Sequence, residues 1–344
     1  MTTKIMIGDV REQLALLEPD SIDCVVTSPP YWGLRDYGVD GQIGLERTLG
    51  EHLEVIVEVF EGVRRAMKPT ATLWLNYGDC YATSPNGRSA AATKAAGKDD
   101  RTFRDKPFST IGGVLKPKDL CMIPNRLAIA LQEAGWWVRS EIIWHKPNPM
   151  PESIKDRPGS SHEKVWLLSK SPRYFYDHEA VAEGLTESSV ARLSQDIETQ
   201  EGSYRQPGKT NGPMKAVGSL HMRETSRKDG DRWRLHEGGV AKRGTRNLRN
   251  VWTIATAAFS EAHFATFPPA LAERCIKAGC PEGGTVLDPF FGAGTTGLVA
   301  ARLQRNCIGI ELNPEYAAIA RKCIISDAPL FANDNTAPAQ AGAA

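Results

Sequence analysis

Short apolar runs alternate with stretches of helical periodicity along most of the 344-residue chain. The apolar runs predict strands at 5–7, 23–26, 71–77, 136–145, 164–169, 285–287 and 306–310. Apolar residues that recur every three or four positions predict helices at 11–18, 48–67, 124–134, 270–277, 294–303 and 314–324. Strands that alternate with helices are typical of an α/β fold with a mostly parallel sheet.

Polar stretches interrupt this pattern and suggest how the chain is divided. Residues 84–118 contain few apolar side chains and many Gly, Ser, Lys and Arg, and we expect a mobile loop there. Residues 184–250 are also polar, and we expect an inserted region with a weak core. The α/β domain is then built from 1–183 and 251–327. The tail 328–344 is rich in Ala, Asn and Pro and is expected to be disordered.

The net charge of +1 conceals two basic segments on an otherwise acidic chain. Residues 185–255 hold 13 Lys and Arg against 8 Asp and Glu, and residues 84–118 hold 8 against 3. Basic loops of this kind suit the binding of a polyanion such as nucleic acid. Solvated loops that happen to be basic have the same composition, so charge alone leaves both interpretations open.

The composition disfavours several classes of protein. No apolar stretch approaches the roughly 20 residues of a membrane-spanning helix, and residues 1–5 show no signal-peptide pattern, so we expect a cytoplasmic protein. The seven cysteines have no zinc-ligand spacing, and none looks like an activated nucleophile. We therefore expect neither a metal site nor a covalent enzyme intermediate.

The most informative motif is the turn at 27–32, Thr-Ser-Pro-Pro-Tyr-Trp, which directly follows a predicted strand. Pro29 and Pro30 fix φ and have no N–H to donate, and Pro29 also favours an extended Ser28. The turn therefore presents carbonyl groups, a hydroxyl and the ring of Tyr31 on a stiff backbone. A flat ligand with an exocyclic amine, above all a nucleobase, fits such a platform.

A second motif lies at 285–296, where a strand leads into a glycine-bearing turn and then a helix. Gly292 and Gly294 let the backbone approach a ligand closely, and a helix N-terminus presents free N–H groups. The next strand ends near Glu311 and Asn313, and a carboxylate in that place can accept hydrogen bonds from ribose hydroxyls. Together these features indicate a cofactor that contains adenosine, whereas the glycines alone also suit an ordinary strand–helix turn.

Asp288 distinguishes two kinds of adenosine cofactor. Its carboxylate would repel the pyrophosphate of a dinucleotide, although Gly-x-Gly-x-x-Gly spacing occurs at 292–297. It would suit the cationic amino and sulfonium groups of S-adenosylmethionine. The motif therefore favours a methyltransferase over a dehydrogenase.

The two motifs together resemble those of the beta group of DNA amino-methyltransferases, the N4-cytosine/N6-adenine family. Residues 288–296 resemble the family's cofactor loop Asp-Pro-Phe-x-Gly-x-Gly-Thr, and 27–31 resemble its Ser/Asp/Asn-Pro-Pro-Tyr motif. Residues 263–268 resemble the His-x-Ala-x-Phe-Pro element just upstream of the cofactor loop. The catalytic motif comes first and the cofactor motif last, as in the beta group. The similarity covers about 4–183 and 247–325.

The resemblance implies a Rossmann-like S-adenosylmethionine-dependent methyltransferase fold, with circularly permuted motif order and an inserted target-recognition region. It assigns catalysis to Ser28, Pro29, Pro30 and Tyr31. It assigns S-adenosylmethionine binding to Asp9, His263, Phe267, Asp288, Pro289, Phe290, Gly292, Gly294, Thr295, Glu311 and Asn313. DNA contacts are expected from basic residues of the inserted region, namely Arg223, Arg227, Lys228, Arg232, Arg234, Lys242, Arg243 and Arg246.

The resemblance also implies a mechanism. The target base leaves the duplex and stacks on Tyr31, with Trp32 as a candidate second ring and 146–151 as a candidate border of its pocket. The amine donates hydrogen bonds to the Ser28 hydroxyl and the Pro29 carbonyl and attacks the sulfonium methyl group directly. The acceptor of the released proton stays open. Serine at this position favours N4 of cytosine, and N6 of adenine is the alternative.

Double-stranded DNA is the expected partner. One chain fixes neither a homodimer nor a cognate restriction endonuclease, and both stay open. An RNA or protein-amide methyltransferase could use a similar platform, and a non-catalytic nucleic-acid-binding module would not need Ser28, Asp288 and Glu311. The basic inserted region and the order of the motifs favour DNA.

Overall fold

Strands and helices alternate along the chain, as the hydrophobic pattern predicts. A computed structural model describes residues 2–34, 36, 38–84, 108–188, 204–206, 209–210, 245–256 and 267–327. Its strands are β1 (Thr3–Ile7), β2 (Ile22–Thr27), β3 (Met67–Tyr77), β4 (Trp137–His145), β5 (His162–Ser169), β6 (Glu183–Gly184), β7 (Tyr204–Gln206), β8 (Lys209–Thr210), β9 (Thr245–Arg246), β10 (Val251–Thr253), β11 (Thr285–Asp288) and β12 (Asn306–Glu311). Its helices are α1 (Val10–Ala15), α2 (Leu49–Ala66), α3 (Ile123–Glu133), α4 (Pro269–Gly279), α5 (Thr295–Arg302) and α6 (Pro314–Asp327).

Eight strands form one sheet, in the order β1-β12-β11-β2-β3-β5-β4-β10. The neighbours from β1 to β3 are parallel, as are β4 and β10. Strand β5 is antiparallel to both β3 and β4. The expectation of an α/β fold with a mostly parallel sheet is therefore confirmed, and the antiparallel pairs make the sheet mixed.

Helix α2 shows how the local sequence determines an element. Thr48 Oγ1 accepts a hydrogen bond from Glu51 N, and the Glu51 carboxylate accepts one from Thr48 N, each at 3.2 Å. This capping box satisfies donors that the first helical turn leaves unpaired. Ile56, Phe60 and Val63 recur at helical spacing and are fully buried in the core. Burial stabilises each such side chain by roughly 1.5–3 kcal/mol.

The carboxyl ends of four parallel strands meet at one edge of the sheet. Strands β1, β12, β11 and β2 are neighbours and run in the same direction. The segments that follow them begin at Gly8, Leu312, Pro289 and Ser28 respectively. These segments therefore converge, and open α/β sheets bind ligands in the crevice at this edge.

One helix and several short strands differ from the sequence prediction. Helix α1 ends at Ala15 rather than at residue 18, and Leu16 and Leu17 close it with hydrogen bonds to residues three positions earlier. Pro19 follows and disfavours continuation of the helix. Strands β6 to β10 were not predicted, because two or three residues are too few for a recognisable period.

The described part of the expected mobile loop is packed. Thr110 is 1% exposed and Leu115 is 5% exposed, and Phe108 packs against the hydrophobic core. These contacts attach part of 108–118 to the core, and the mobile loop at 84–118 stays a prediction. Residues 85–107 lie outside the described residues, and the expected tail 328–344 does too.

The chain divides into two units, one made of 1–177 with the residues from 250 onward and the other of 178–249. In the second unit, β6 and β9 pair in antiparallel fashion, with Glu183 opposite Arg246. The Glu183 carboxylate accepts a hydrogen bond from Arg246 Nε at 3.2 Å. Strands β7 and β8 form a second antiparallel pair. Within the described ranges, no helix has the length and apolar character that crossing a bilayer requires.

Candidate active site

A cavity of about 170 Å³ lies where the two sequence motifs meet. Its wall includes residues of the turn at 27–32, here called the catalytic turn, and of the turn at 288–296, here called the cofactor turn. The predicted site residues that line it are Asp9, Ser28, Pro29, Pro30, Tyr31, Pro289, Phe290, Gly292, Glu311 and Asn313. The fold thus joins two motifs that are more than two hundred residues apart into one site.

The rest of the cavity wall is mainly apolar. Its side chains are those of Val10, Leu34, Val39, Gln42, Ile43, Ala293, Ile310, Leu312 and Tyr316. The sequence did not predict the contribution of residues 34–43, because this irregular segment has no hydrophobic period. An apolar wall beside carboxylates suits a ligand that combines a flat ring with a polar sugar.

The cofactor turn depends on two glycines with left-handed backbone. The φ angle is +52° at Gly292 and +81° at Gly294, a region that residues with a Cβ rarely adopt. A Cβ on Gly294 would also lie 2.8 Å from Ala320 Cβ, so helices α5 and α6 could not pack as they do. No described atom lies within 4 Å of the place where a Gly292 Cβ would be, so this backbone is open to a ligand.

Asp288 is the first residue of the cofactor turn and does not line the cavity. It is 2% exposed, and its Oδ1 accepts hydrogen bonds from Thr27 Oγ1 at 2.7 Å and Phe290 N at 3.1 Å. Its Oδ2 accepts one from Thr296 Oγ1 at 2.6 Å. Burial raises its pKa to about 6 against the opposing effect of these hydrogen bonds. Asp288 therefore ties β2 to the cofactor turn, and its position does not support the expected contact with a cationic cofactor end.

Glu311 is the acidic residue of the cavity wall on β12. Its Oε2 accepts a hydrogen bond from Gly292 N at 2.7 Å, and its Oε1 accepts one from Asn313 N at 2.9 Å. Desolvation raises its pKa above the ordinary value for glutamate, and these hydrogen bonds oppose the rise. A carboxylate has about four acceptor sites, so two remain for the hydroxyls of a ligand. This arrangement fits the ribose of S-adenosylmethionine.

Asp9 caps helix α1 and also lines the cavity. Its Oδ1 accepts hydrogen bonds from Arg11 N at 2.8 Å and from Arg11 Nε at 3.0 Å. Its Oδ2 accepts one from Arg11 Nη2 at 2.8 Å. The side-chain hydrogen bond from Arg11 is the main cause of the lowered pKa of Asp9. The cavity therefore contains a fixed, ionised acceptor at this point.

The catalytic turn holds the Tyr31 ring in one place. The ring stacks on that of Tyr77, with centroids 4.6 Å apart and planes inclined by 27°. Gly78 leaves room for it, because a Cβ there would lie 2.6 Å from Tyr31 Cε2. Ser28 Oγ donates a hydrogen bond to Tyr31 Oη at 3.3 Å. Trp32 is only 3% exposed, so its expected role as a second stacking ring is not supported.

A buried polar chain supports the catalytic turn. Trp32 N donates to Tyr77 Oη at 3.0 Å, and Tyr77 Oη donates to the Pro30 carbonyl at 3.3 Å. His52 Nε2 lies 2.7 Å from Tyr77 Oη, and His52 Nδ1 lies 2.8 Å from Glu46 Oε2. The prolines cannot donate backbone hydrogen bonds. The Tyr77 hydroxyl instead connects the turn to the core.

A second polar cluster contacts the hydroxyl of Tyr31. Glu163 Oε2 accepts hydrogen bonds from Tyr31 Oη at 2.9 Å and from Asn76 Nδ2 at 3.1 Å. Glu163 Oε1 pairs with the ammonium group of Lys146, the first residue of the predicted pocket border 146–151. Glu163 and Asn76 were not predicted, because they lie on strands and adjoin no motif. Antiparallel pairing of β3 with β5 brings them together.

Other predicted cofactor residues have different positions. Gly294 and Thr295 form the start of α5 and are not among the residues that line the cavity. Phe267 is half-buried just before α4 and does not line the cavity either. His263 lies outside the described residues.

Most of the predicted DNA contacts cannot be placed, because they lie outside the described residues: Arg223, Arg227, Lys228, Arg232, Arg234, Lys242 and Arg243. Arg246 is described, and its guanidinium pairs with Glu183. This contact holds β9 to β6, so Arg246 has a structural role in its own unit.

The described residues include no recognisable centre for metal binding or for cysteine chemistry. Among the described residues, no group of three His, Cys, Asp or Glu side chains is arranged to hold a metal ion. Burial raises the pKa of the Cys24, Cys275 and Cys307 thiols, which makes these thiols inert at neutral pH. The polar groups around Ser28 are the ones placed for chemistry at the cavity.

Comparisons with known proteins agree with this geometry. The DNA methylase family N6_N4_Mtase matches residues 22–322. The chain is 41% identical over 332 residues to the type II methyltransferase M.SmaI of Serratia marcescens, covering 94% of this chain and 90% of that protein. It is 42% identical over 313 residues to M.Cfr9I of Citrobacter freundii, covering 91% and 84%.

Solved structures share the fold. The PvuII DNA methyltransferase (cytosine-N4-specific) has a TM-score of 0.59 at 19% identity, covering 98% of this chain and 89% of that one. The protein TTHA0409 of Thermus thermophilus, solved with S-adenosylmethionine, has a TM-score of 0.53 at 22% identity, covering 96% of this chain and 98% of that one. At these identities the structural comparison shows a common α/β fold.

The family match and the relatives, together with the two turns at the carboxyl edge of an α/β sheet, identify an S-adenosylmethionine-dependent methyltransferase. The family match extends over most of the sequence, and the chain belongs to the DNA methylase family N6_N4_Mtase. It is a site-specific DNA methyltransferase with S-adenosylmethionine as the methyl donor. The family, the DNA substrate and the cofactor predicted from the sequence are confirmed.

Proposed function

We propose that the enzyme methylates N4 of cytosine in double-stranded DNA. The observation that carries the proposal is the Ser28 hydroxyl, which lines the cavity and donates its proton to Tyr31 Oη. Its lone pairs are then available to an exocyclic amine. In the beta-group pattern a serine at this position goes more often with cytosine, and an aspartate more often with adenine.

The catalytic turn orients the amine. The target base leaves the duplex and stacks on Tyr31, whose ring is backed by Tyr77. The amine donates hydrogen bonds to Ser28 Oγ and to the Pro29 carbonyl, which draws the nitrogen lone pair out of conjugation with the ring. S-adenosylmethionine supplies a methyl group on a cationic sulfur. Alignment of the two reacting atoms by a rigid site provides much of the rate enhancement.

We also propose which residues contact S-adenosylmethionine. Glu311 accepts hydrogen bonds from the ribose hydroxyls through its two remaining acceptor sites, and Asp9 accepts one from the adenine amino group. The open backbone at Gly292 lets the ligand approach closely. His263 and Phe267 are assigned to the methionine end because of the family element at 263–268.

Target recognition is assigned to the inserted region 184–250. This region lies between a catalytic part at 1–183 and a cofactor-binding part at 251–327. The excess of Lys and Arg in this region supports the assignment. We also propose the permuted motif order of the beta group and, because the substrate is DNA, a cytoplasmic location. A cognate endonuclease and a homodimer are compatible with the type II relatives, and size-exclusion chromatography with light scattering tests the dimer.

Mass spectrometry of nucleosides from methylated DNA tests the choice of base. DNA incubated with the enzyme and S-adenosylmethionine should contain N4-methylcytosine. N6-methyladenine without N4-methylcytosine would refute the proposal and establish the adenine alternative. Methylation-sensitive long-read sequencing of the same DNA then locates the recognition site.

The Ser28→Ala variant tests the acceptor role of the hydroxyl. Methylation should fall by about a hundredfold or more, while S-adenosylmethionine binding measured by calorimetry stays unchanged. Ser21→Ala is the matched control, because Ser21 lies just before the other end of β2 and its hydroxyl donates to the Glu18 carbonyl, away from the cavity. Wild-type methylation by Ser28→Ala would exclude the hydroxyl from the reaction.

A further inference from the structure

A largely buried carboxylate lies behind the catalytic turn. Glu163 and Lys146 form an ion pair in which each side chain is 19% exposed. Glu163 Oε2 accepts hydrogen bonds from Tyr31 Oη and Asn76 Nδ2. No part of the cofactor site or the buried chain through His52 includes this carboxylate, so its place beside Tyr31 calls for a separate explanation.

The hydrogen bonds from Ser28 to Glu163 run in one direction. Ser28 Oγ donates to Tyr31 Oη at 3.3 Å, and Tyr31 Oη donates to Glu163 Oε2 at 2.9 Å. Each hydroxyl therefore points its proton away from the cavity. Burial, and next the charge of Glu163, raise the pKa of Tyr31, so the phenol stays protonated and can pass a proton on only as it receives another.

We propose that Glu163 receives the proton released by the target amine, acting through Tyr31 and Ser28. The amine nitrogen bonds to the methyl carbon as the carbon–sulfur bond breaks, and the bonding pair stays on sulfur. The methylated nitrogen gives one proton to Ser28 Oγ, Ser28 passes its own to Tyr31 Oη, and Tyr31 passes its own to Glu163. The result is a neutral base, intact Ser28 and Tyr31, and a protonated Glu163.

The charged groups around Glu163 suit a temporary proton acceptor. Lys146 faces it from the segment after β4, Tyr31 faces it from the catalytic turn, and Asn76 of β3 donates to it. Lys164, the next residue on β5, pairs with Glu141 instead. Because the Glu163 side chain is 19% exposed, the proton can pass on to water before the next turnover.

Glu163→Gln, which keeps the size of the side chain and an acceptor for Tyr31 but loses the base, tests the proposal. Single-turnover methylation should slow by about a hundredfold, within the range for general-base catalysis. The wild-type rate should fall on acidification, and this dependence should be lost in the variant. Binding of S-adenosylmethionine and DNA should be unchanged. Glu141→Gln, on the neighbouring strand, is the matched control with wild-type kinetics.

Tyr31→Phe separates a chain of proton transfers from independent effects. This variant keeps the stacking ring but breaks the chain, so it should slow the reaction about as much as Glu163→Gln. The double variant should be no slower than either single variant, because each single substitution already breaks the same chain of proton transfers. Glu163→Asp should recover part of the rate.

Three outcomes would overturn the proposal: a wild-type rate and pH profile in Glu163→Gln, a loss of cofactor binding in that variant, or multiplicative effects in the double variant. The proposal depends on one part of the proposed function, namely that an exocyclic amine is methylated and then loses a proton. It does not depend on which base carries the amine. Nucleoside analysis of the wild-type product tests the choice of cytosine separately. An N6-methyladenine product would leave the rate comparison valid for the other base.

Discussion

The Tyr31 ring has its place because residue 78 has no side chain. A Cβ on Gly78 would lie 2.6 Å from Tyr31 Cε2, and the ring cannot retreat because Tyr77 stacks against it. Gly78→Ala should therefore displace the ring and lower the methylation rate by about tenfold to a hundredfold, since small misplacements of reacting groups are costly. Single-turnover kinetics measures the effect.

Gly50→Ala is the control for this substitution. Gly50 has no left-handed φ, and its nearest neighbour would be Thr48 Oγ1 at 3.8 Å, an ordinary contact. This variant should methylate DNA like the wild type. Calorimetry should show unchanged S-adenosylmethionine binding in both variants. Full activity in Gly78→Ala would mean that the position of the ring does not limit the reaction.

Asp288 should make stability depend on pH in an unusual direction. Its pKa of about 6 in the folded protein lies above the ordinary 3.8, so the folded state binds this proton more tightly than the unfolded state. The stability that the folded protein gains from this proton on Asp288 is fully present below about pH 3.8. It is lost as the pH rises through 6. The loss corresponds to roughly 3 kcal/mol.

Asp288→Asn, which cannot titrate, should gain stability relative to the wild type as the pH rises from about 4 to 7. The gain in the free energy of unfolding should be about 2–3 kcal/mol, and urea titrations across that range measure it. Asp156→Asn is the control, because that exposed carboxylate should change the pH dependence far less. Parallel curves for Asp288→Asn and the wild type would contradict the raised pKa.

Among the larger elements, β3 supports the catalytic turn through its last residue. The Tyr77 hydroxyl bonds to Trp32 N, His52 Nε2 and the Pro30 carbonyl. Tyr77→Phe leaves these buried groups without that partner, and each unsatisfied group costs about 1–3 kcal/mol. We expect the free energy of unfolding to fall by about 2–4 kcal/mol.

Urea unfolding monitored by circular dichroism measures this loss. Tyr174→Phe is the matched control, because the Tyr174 hydroxyl contacts Arg139 Nε at 3.3 Å in an exposed pair. It should change stability by less than about 0.5 kcal/mol. A similar small change in Tyr77→Phe would show that water replaces the lost hydroxyl in the core.

Elements with a long period were predictable from the sequence, and contacts between distant strands were not. Helix α2 and strand β3 have periodic apolar residues, and the two turns can be recognised from short sequence motifs. Glu163 and Asn76 give no such signal, because the pairing of β3 with β5 alone makes them neighbours of Tyr31. The motif places Asp288 at the start of the cofactor turn, but the partner of its carboxylate on another strand, Thr27, has no local sequence signal.

For the molecule as a whole, the pairing of β6 with β9 brings the two ends of the inserted region together. Gly184 lies opposite Thr245, so a short linker can replace residues 187–243. The shortened enzyme should lose DNA affinity by at least about a hundredfold, because the deleted segment carries most of the region's Lys and Arg. It should still bind S-adenosylmethionine.

Fluorescence anisotropy with labelled DNA and calorimetry with S-adenosylmethionine make this comparison. Removal of residues 328–344 is the control deletion and should change neither affinity. Sequence-specific methylation by the shortened enzyme would assign recognition to another part of the chain.

The cavity is lined by residues from 8–43 and from 289–316, so both of these segments must be synthesised before it exists. During synthesis β1 cannot pair with a strand until β12, its only neighbour in the described sheet, has been made. A ribosome-released fragment that stops before residue 289 cannot hold S-adenosylmethionine. Since a ligand stabilises only the state that binds it, we expect S-adenosylmethionine to slow proteolysis of chains that contain both segments and not of fragments that lack the second.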